Sequence, residues 1–158
     1  MKKGIIFALL GAVGAIGAGI AVKRTESKKT ARQKEYADKH LAIMQNMNQW
    51  LLLKQEGKTL KPYFEENGYK RVAIYGMSYL GERLLDDLKE IGIEVAYAID
   101  RNASALYSEV EIYTPDDELP EADAIIVTAT FYFDKIEEML SGKVDCPVIS
   151  LEEILYEL

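Results

Sequence analysis

A single cysteine, a single histidine and a stretch from Thr25 to Gln55 with no proline or glycine are the first constraints set by this chain of 158 residues. Cys146 has no second cysteine to pair with, and with His40 it supplies no metal-ligating cluster. A lone thiol fits a reducing compartment. Placed beside Pro147, it reads as a small buried residue. With His40 outside the C-terminal half, a Ser-His-Asp arrangement has no histidine to use there. Positive charge is scarce over part of the chain as well. Residues 1–61 carry twelve Lys/Arg against four Asp/Glu, a net of +8, whereas residues 62–158 carry seven against twenty-two, a net of −15. The acidic part repels a polyphosphate backbone, which excludes nucleic-acid binding there. The split marks two regions with different surroundings.

What the N-terminus has is an uncharged run from Gly4 to Val22, long enough for a helix of about 28 Å. Gly11, Gly14, Gly17 and Gly19 disfavour a soluble helix and suit a membrane one, where they allow close helix approach. The reading is a transmembrane helix over 1–23. The alternative is a cleaved signal peptide, with Lys2 and Lys3 as its n-region and Gly19-Ile20-Ala21 as the cleavage site. Lys23, Arg24, Lys28, Lys29, Arg32 and Lys34 follow the run. By the positive-inside rule they predict a single-pass protein with its C-terminal domain in the cytoplasm, its basic flank on anionic lipid headgroups.

Residues 24–68 read as a helical linker. Ala37, Leu41, Met44, Asn48 and Leu51 follow a 4-3-4-3 spacing, with Tyr36, Ile43, Met47 and Trp50 on the adjacent stripe. Such a helix either packs on the following domain or pairs two copies through residues 24–55; the transmembrane span is the other route to a homodimer. His40 reads as solvated. Gly57 ends the helix, and Leu60 to Asn67 reads as a short second one, stopped at Asn67-Gly68.

Residues 69–158 carry the chemistry. Arg71-Val72-Ala73-Ile74-Tyr75 is a short apolar strand that runs into Gly76-Met77-Ser78-Tyr79-Leu80-Gly81. Leu80, Leu84, Leu85, Leu88 and Ile91 then mark one face of a helix that stops at Gly92. Ile93 to Ile99 is a second strand, and Asp100 follows 24 residues after Gly76. Strand, glycine turn, helix, strand and acid, in that order, form the dinucleotide-binding fingerprint. The first glycine makes the turn, the last brings helix close to sheet, and the helix N-terminus offers bare N–H groups to phosphate. The acid is placed for a ribose diol. Ser78 stands where the middle glycine usually is: its hydroxyl can donate to phosphate, and its side chain also takes up space.

Further on, Val110 to Tyr113 reads as a strand, Thr114 as the cap of a turn begun by Pro115, and Ala124 to Thr128 as a strand covered on both faces. Asp134 to Leu140 is a helix and Pro147-Val148-Ile149 the last strand. Ser150 and Glu153 make a capping box for a final helix. Right-handed crossovers then predict a small α/β fold with a Rossmann-like parallel sheet of about five strands in the order 3-2-1-4-5, preceded by the transmembrane and amphipathic helices. The ligand crevice falls at the carboxyl ends of strands one and four. It joins Gly76, Met77, Ser78, Tyr79, Leu80 and Gly81 with Asp100, Arg101, Thr128, Ala129 and Thr130.

From Tyr69 to Leu158 the chain resembles the compact Rossmann domains of bacterial polysaccharide-biosynthesis proteins, the N-terminal domains of epimerase/dehydratases and sugar acyltransferases. Val72-Ala73-Ile74-Tyr75-Gly76, Gly81, Ile99-Asp100, Ala122 to Thr128 and Pro147 to Leu151 carry the likeness. It implies NAD(P) or a nucleotide-sugar on Gly76, Ser78 and Gly81. The Tyr-x-x-x-Lys pair of the epimerases is missing, since Tyr132 and Lys135 are three apart, and no hexapeptide repeats follow. The clustered carboxylates read as solvated faces and helix starts. The expectation is therefore a membrane-anchored, non-catalytic nucleotide-binding domain, a sensor or accessory subunit in envelope or polysaccharide metabolism. A subunit of a sugar-modifying enzyme completed by a partner chain, and a ligand-free membrane scaffold, are the alternatives.

Overall fold

The computed structural model describes the backbone of residues 2–158 and the side chains of residues 27–158. The chain divides into two compact units, residues 1–40 and 41–158. Helix α1 (Lys2–Gln55) supplies all the described structure of the first. Its described side chains there are almost all exposed, including His40, whose ring meets Tyr36 edge-on at 4.2 Å.

The second unit continues from the last turns of α1 through α2 (Lys61–Asn67), β1 (Arg71–Tyr75), α3 (Tyr79–Ile91), β2 (Glu94–Ile99), β3 (Ile112–Tyr113), β4 (Ala124–Val127), α4 (Phe133–Leu140), β5 (Val148–Ser150) and α5 (Leu151–Glu157). Its five strands pair in parallel in the order β3-β2-β1-β4-β5, the order expected from the sequence. Pairing Val72 with Ala124 and Tyr75 with Val127 puts β1 and β4 side by side at the centre. Alternation along these strands sends side chains to two cores. Val72, Ile74, Ala98, Ala124 and Ile126 pack on one face with Trp50 and Leu53 of α1, Phe64 of α2, the leucines of α3 and Leu151, Ile154 and Leu155 of α5. Ala73, Tyr75, Tyr97, Ile99, Ile125 and Val127 pack on the other with Ile136 and Leu140 of α4. Glycines 68 and 92 end α2 and α3 in the left-handed conformation, at φ 73° and 81°.

The expected membrane span, Gly4 to Val22, lies outside the residues whose side chains are described. Among the described residues no helix is long and apolar enough to cross a membrane. This corrects the expected architecture. The transmembrane helix, the single-pass topology with a cytoplasmic domain, the lipid partner and the membrane-anchored role are set aside, and an α/β domain with a parallel sheet is what stands. Pairing of two copies through the span goes with them. On residues 24–55, Ile43, Trp50 and Leu53 pack on the chain's own core, whereas Leu41, Met44 and Leu51 of the expected pairing stripe are exposed.

Two local expectations also change. Ser150 precedes α5, but its side chain makes no cap hydrogen bond, so the capping box with Glu153 is not formed. No helix begins at Pro115. Instead Asp117 folds back, its Oδ2 accepting from Thr114 N at 2.6 Å and Thr114 Oγ1 at 2.8 Å. Those two donors hold the Asp117 carboxyl below its ordinary range.

Candidate functional site: the glycine turn at the carboxyl ends of the strands

Tyr75 closes β1, and the chain turns at Gly76 with φ 97°, a conformation that disfavours any side chain. Gly76 N donates to Ile99 O at 2.8 Å, which fastens the turn to the end of β2. Thr128 then closes the gap to β4. Its hydroxyl lies 3.1 Å from Tyr75 O and 2.5 Å from Gly76 O, and a Cβ on Gly76 would come within 2.8 Å of it. Gly81 permits the next step. A Cβ there would stand 2.1 Å from Gly76 O, so only glycine lets the first turn of α3 settle on the turn it follows.

Asp100 completes the arrangement. Its Oδ2 accepts from Met77 N at 2.9 Å and its Oδ1 from Asn102 N at 2.9 Å. The acid at the end of β2 thus sits directly against the glycine turn. A carboxylate has about four acceptor positions, so roughly two remain for a ligand. Ser78 occupies the N-cap position of α3 in an extended conformation, φ −97° and ψ −160°, which any residue adopts. A glycine is therefore not required there by the backbone. Its side chain makes no cap bond and is exposed. The amides of Tyr79, Leu80 and Gly81 open the helix with no carbonyl behind them, and they carry the positive end of its dipole.

The structure thus brings Gly76, Met77, Ser78 and Gly81 together with Asp100, Thr128 and Ala129; Ala129 N lies 3.4 Å from where a Gly76 Cβ would be. Met77 and Leu80 turn their side chains into the core, so they offer a ligand only backbone. Tyr79 and Arg101 are exposed. Thr128 is buried and its proton is committed to carbonyls, which fills the floor of the crevice between β1 and β4.

One participant was not legible in the sequence. Asn46, on α1, donates through Nδ2 to Thr130 Oγ1 over 2.8 Å, linking residues 84 apart. A polar residue on the core-facing stripe between Ile43 and Trp50 is the signal that marks it.

A separate cleft of about 500 Å³ opens at the opposite end of the sheet. Arg71, Asp123, Lys143 and Cys146 are among the residues that line it. Cys146 is half-buried, and burial pushes its thiol up, away from the reactive thiolate. Arg71 is held by Glu94 and by the carbonyl of Glu121, and Lys143 by Pro115 O and Asp116.

Fold and site together define the class of the molecule: a small α/β protein with a five-stranded parallel sheet. No protein-family model, curated protein or solved structure matches the chain.

Proposed function

We propose that the domain binds a nucleoside diphosphate group, as found in NAD(P) and in nucleotide-sugars. The phosphates rest on the amides from Ser78 to Gly81, and the ribose hydroxyls reach Asp100. One observation carries this reading: Asp100 is hydrogen-bonded to the backbone of the very turn whose following amides are left uncapped. An acceptor for sugar hydroxyls and a cluster of donors for phosphate are therefore held in one rigid frame. Dinucleotide sites on parallel sheets use the same two groups at the carboxyl ends of the strands. The order of strand, glycine turn, helix, strand and acid from Arg71 to Asp100 supports the same ligand class.

A thermal-shift titration of the full chain tests it, using NAD+, NADP+, ADP, UDP and UDP-sugars. A ligand at a hundred times its Kd adds about 2.7 kcal/mol to the folded state and raises Tm accordingly. Ser78→Asp makes the test specific. A carboxylate at this exposed N-cap favours the helix but occupies the phosphate position with like charge. The variant is expected to keep or raise its ligand-free Tm and to lose at least about tenfold in nucleotide affinity. Unchanged affinity in Ser78→Asp removes the assignment.

A further inference from the structure

We infer that Asn46 is a positioning residue for the phosphate end of this site, acting through the hydroxyl of Thr130; the inference rests on the nucleotide reading above. Asn46 is 1% exposed, on the stripe of α1 that packs on the core. A buried amide is costly to desolvate, and an aliphatic side chain would fill the same place without that cost. Its single described bond, to Thr130 Oγ1 at 2.8 Å, is therefore the feature to explain.

The direction of that bond matters. Asn46 gives an N–H and so occupies a lone pair of Thr130 Oγ1, leaving the O–H proton of Thr130 for a different acceptor. Thr130 donates that proton to no described protein atom, whereas Thr128, two residues earlier, spends its own on the carbonyls of Tyr75 and Gly76. An oxygen that accepts one hydrogen bond is a stronger donor in the next. Thr130 lies just beyond the end of β4, one residue from Ala129, whose Cβ comes within 3.5 Å of where a Gly76 Cβ would be. A polarised, undirected hydroxyl donor thus stands beside the glycine turn. On the nucleotide reading, this is the donor that the β4 side of the crevice offers to a phosphate on the α3 amides. Asn46 fixes it there from outside the sheet.

Calorimetric titration of the full chain with ADP and with UDP tests this in the wild type, Asn46→Ala, Thr130→Val, Thr130→Ser and the Asn46→Ala/Thr130→Val double variant. Asn46→Ala and Thr130→Val are each expected to weaken binding about tenfold, the worth of a hydrogen bond to a charged group. Thr130→Ser keeps the wild-type affinity. The double variant loses no more than Thr130→Val alone, because one residue acts through the other. Emission from Trp50, the sole tryptophan, reports whether α1 stays docked through its bond to Asp87 and is expected to be unchanged by Asn46→Ala. If Asn46→Ala does not fold, Asn46→Asp carries the test: its carboxylate only accepts, so it draws the Thr130 proton away and gives the same loss. Wild-type affinity in the Asn46 variant, or losses that add in the double variant, overturns the positioning role and leaves the site standing. A wild-type chain that binds neither ADP nor UDP overturns site and inference together.

Discussion

Gly81 and Gly92 show how differently two glycines of one helix can be constrained. Gly92 needs its freedom only for φ 81°, with nothing within 4 Å of an added Cβ. Gly92→Ala should therefore cost about 1 kcal/mol of left-handed strain. Gly81 has no unusual φ, yet its Cβ would meet Gly76 O at 2.1 Å, a backbone atom that cannot swing aside. Gly81→Ala should cost about 3 kcal/mol or more, since helix and turn must separate. Urea unfolding of the two variants checks the ranking, and equal losses would contradict it. Tyr97 is the opposite case, a residue with more than its place can use. It is 1% exposed and its hydroxyl has no hydrogen-bond partner among the described residues. Burial, with the neighbouring Cys146, pushes its phenol up to about 12. Tyr97→Phe removes an unmatched polar group and keeps the ring against Tyr113, so it should raise stability by about 1 kcal/mol in the same assay.

At the scale of elements, α1 is joined to the domain by side-chain bonds as much as by apolar packing. Trp50 Nε1 donates to Asp87 Oδ2 at 2.8 Å, Lys54 Nζ to Asp87 Oδ1 at 2.7 Å, and Gln49 Nε2 to Leu155 O at 3.1 Å. Trp50→Phe should cost about 1 kcal/mol, for Asp87 keeps Lys54 as a partner. Chemical denaturation followed by circular dichroism measures it, and a loss several times larger would mean that the indole carries the docking. The elements most legible in the sequence are those fixed by local chemistry. The leucine spacing of α3 and the stop at Gly92 needed no tertiary information, and neither did the fully apolar run of β4. What was misread depended on competition between neighbours. Thr114 was a plausible cap on its own, but Asp117 takes both its N–H and its hydroxyl. Ser150 and Glu153 had the spacing of a capping box, yet Ser150 leaves the cap bond unmade.

For the molecule as a whole, the frame of the glycine turn was readable because motif spacing encodes it, and Gly76, Gly81 and Asp100 are brought together in the folded chain. The contribution of Asn46 was not, because a contact across 84 residues leaves only a polar residue on an apolar stripe as its trace. The balance of charge also sets where the fold is stable. Asp123 Oδ2 accepts from Lys70 N and Arg71 N, both at 2.8 Å, tying the start of β1 to the start of β4. Those bonds hold its carboxyl below the ordinary 3.8, so its contribution is complete above that value and is lost as pH falls through the lowered one. Tyr63 and Tyr97 work from the other side. Burial raises both phenols from 10.0 to about 12, so the folded state keeps protons that the unfolded chain gives up. Their contribution is complete below the ordinary value and disappears as pH rises through about 10 to about 12. The urea midpoint should therefore be flat between about pH 5 and about pH 9 and fall on either side. Asp123→Asn should lower the midpoint at neutral pH and approach the wild type in acid, as the carboxyl it lacks is protonated in both. Tyr97→Phe should leave the acid side unchanged and shallow the alkaline decline. A wild-type midpoint that holds constant from about pH 10 to about pH 12 would show that neither phenol is buried as described.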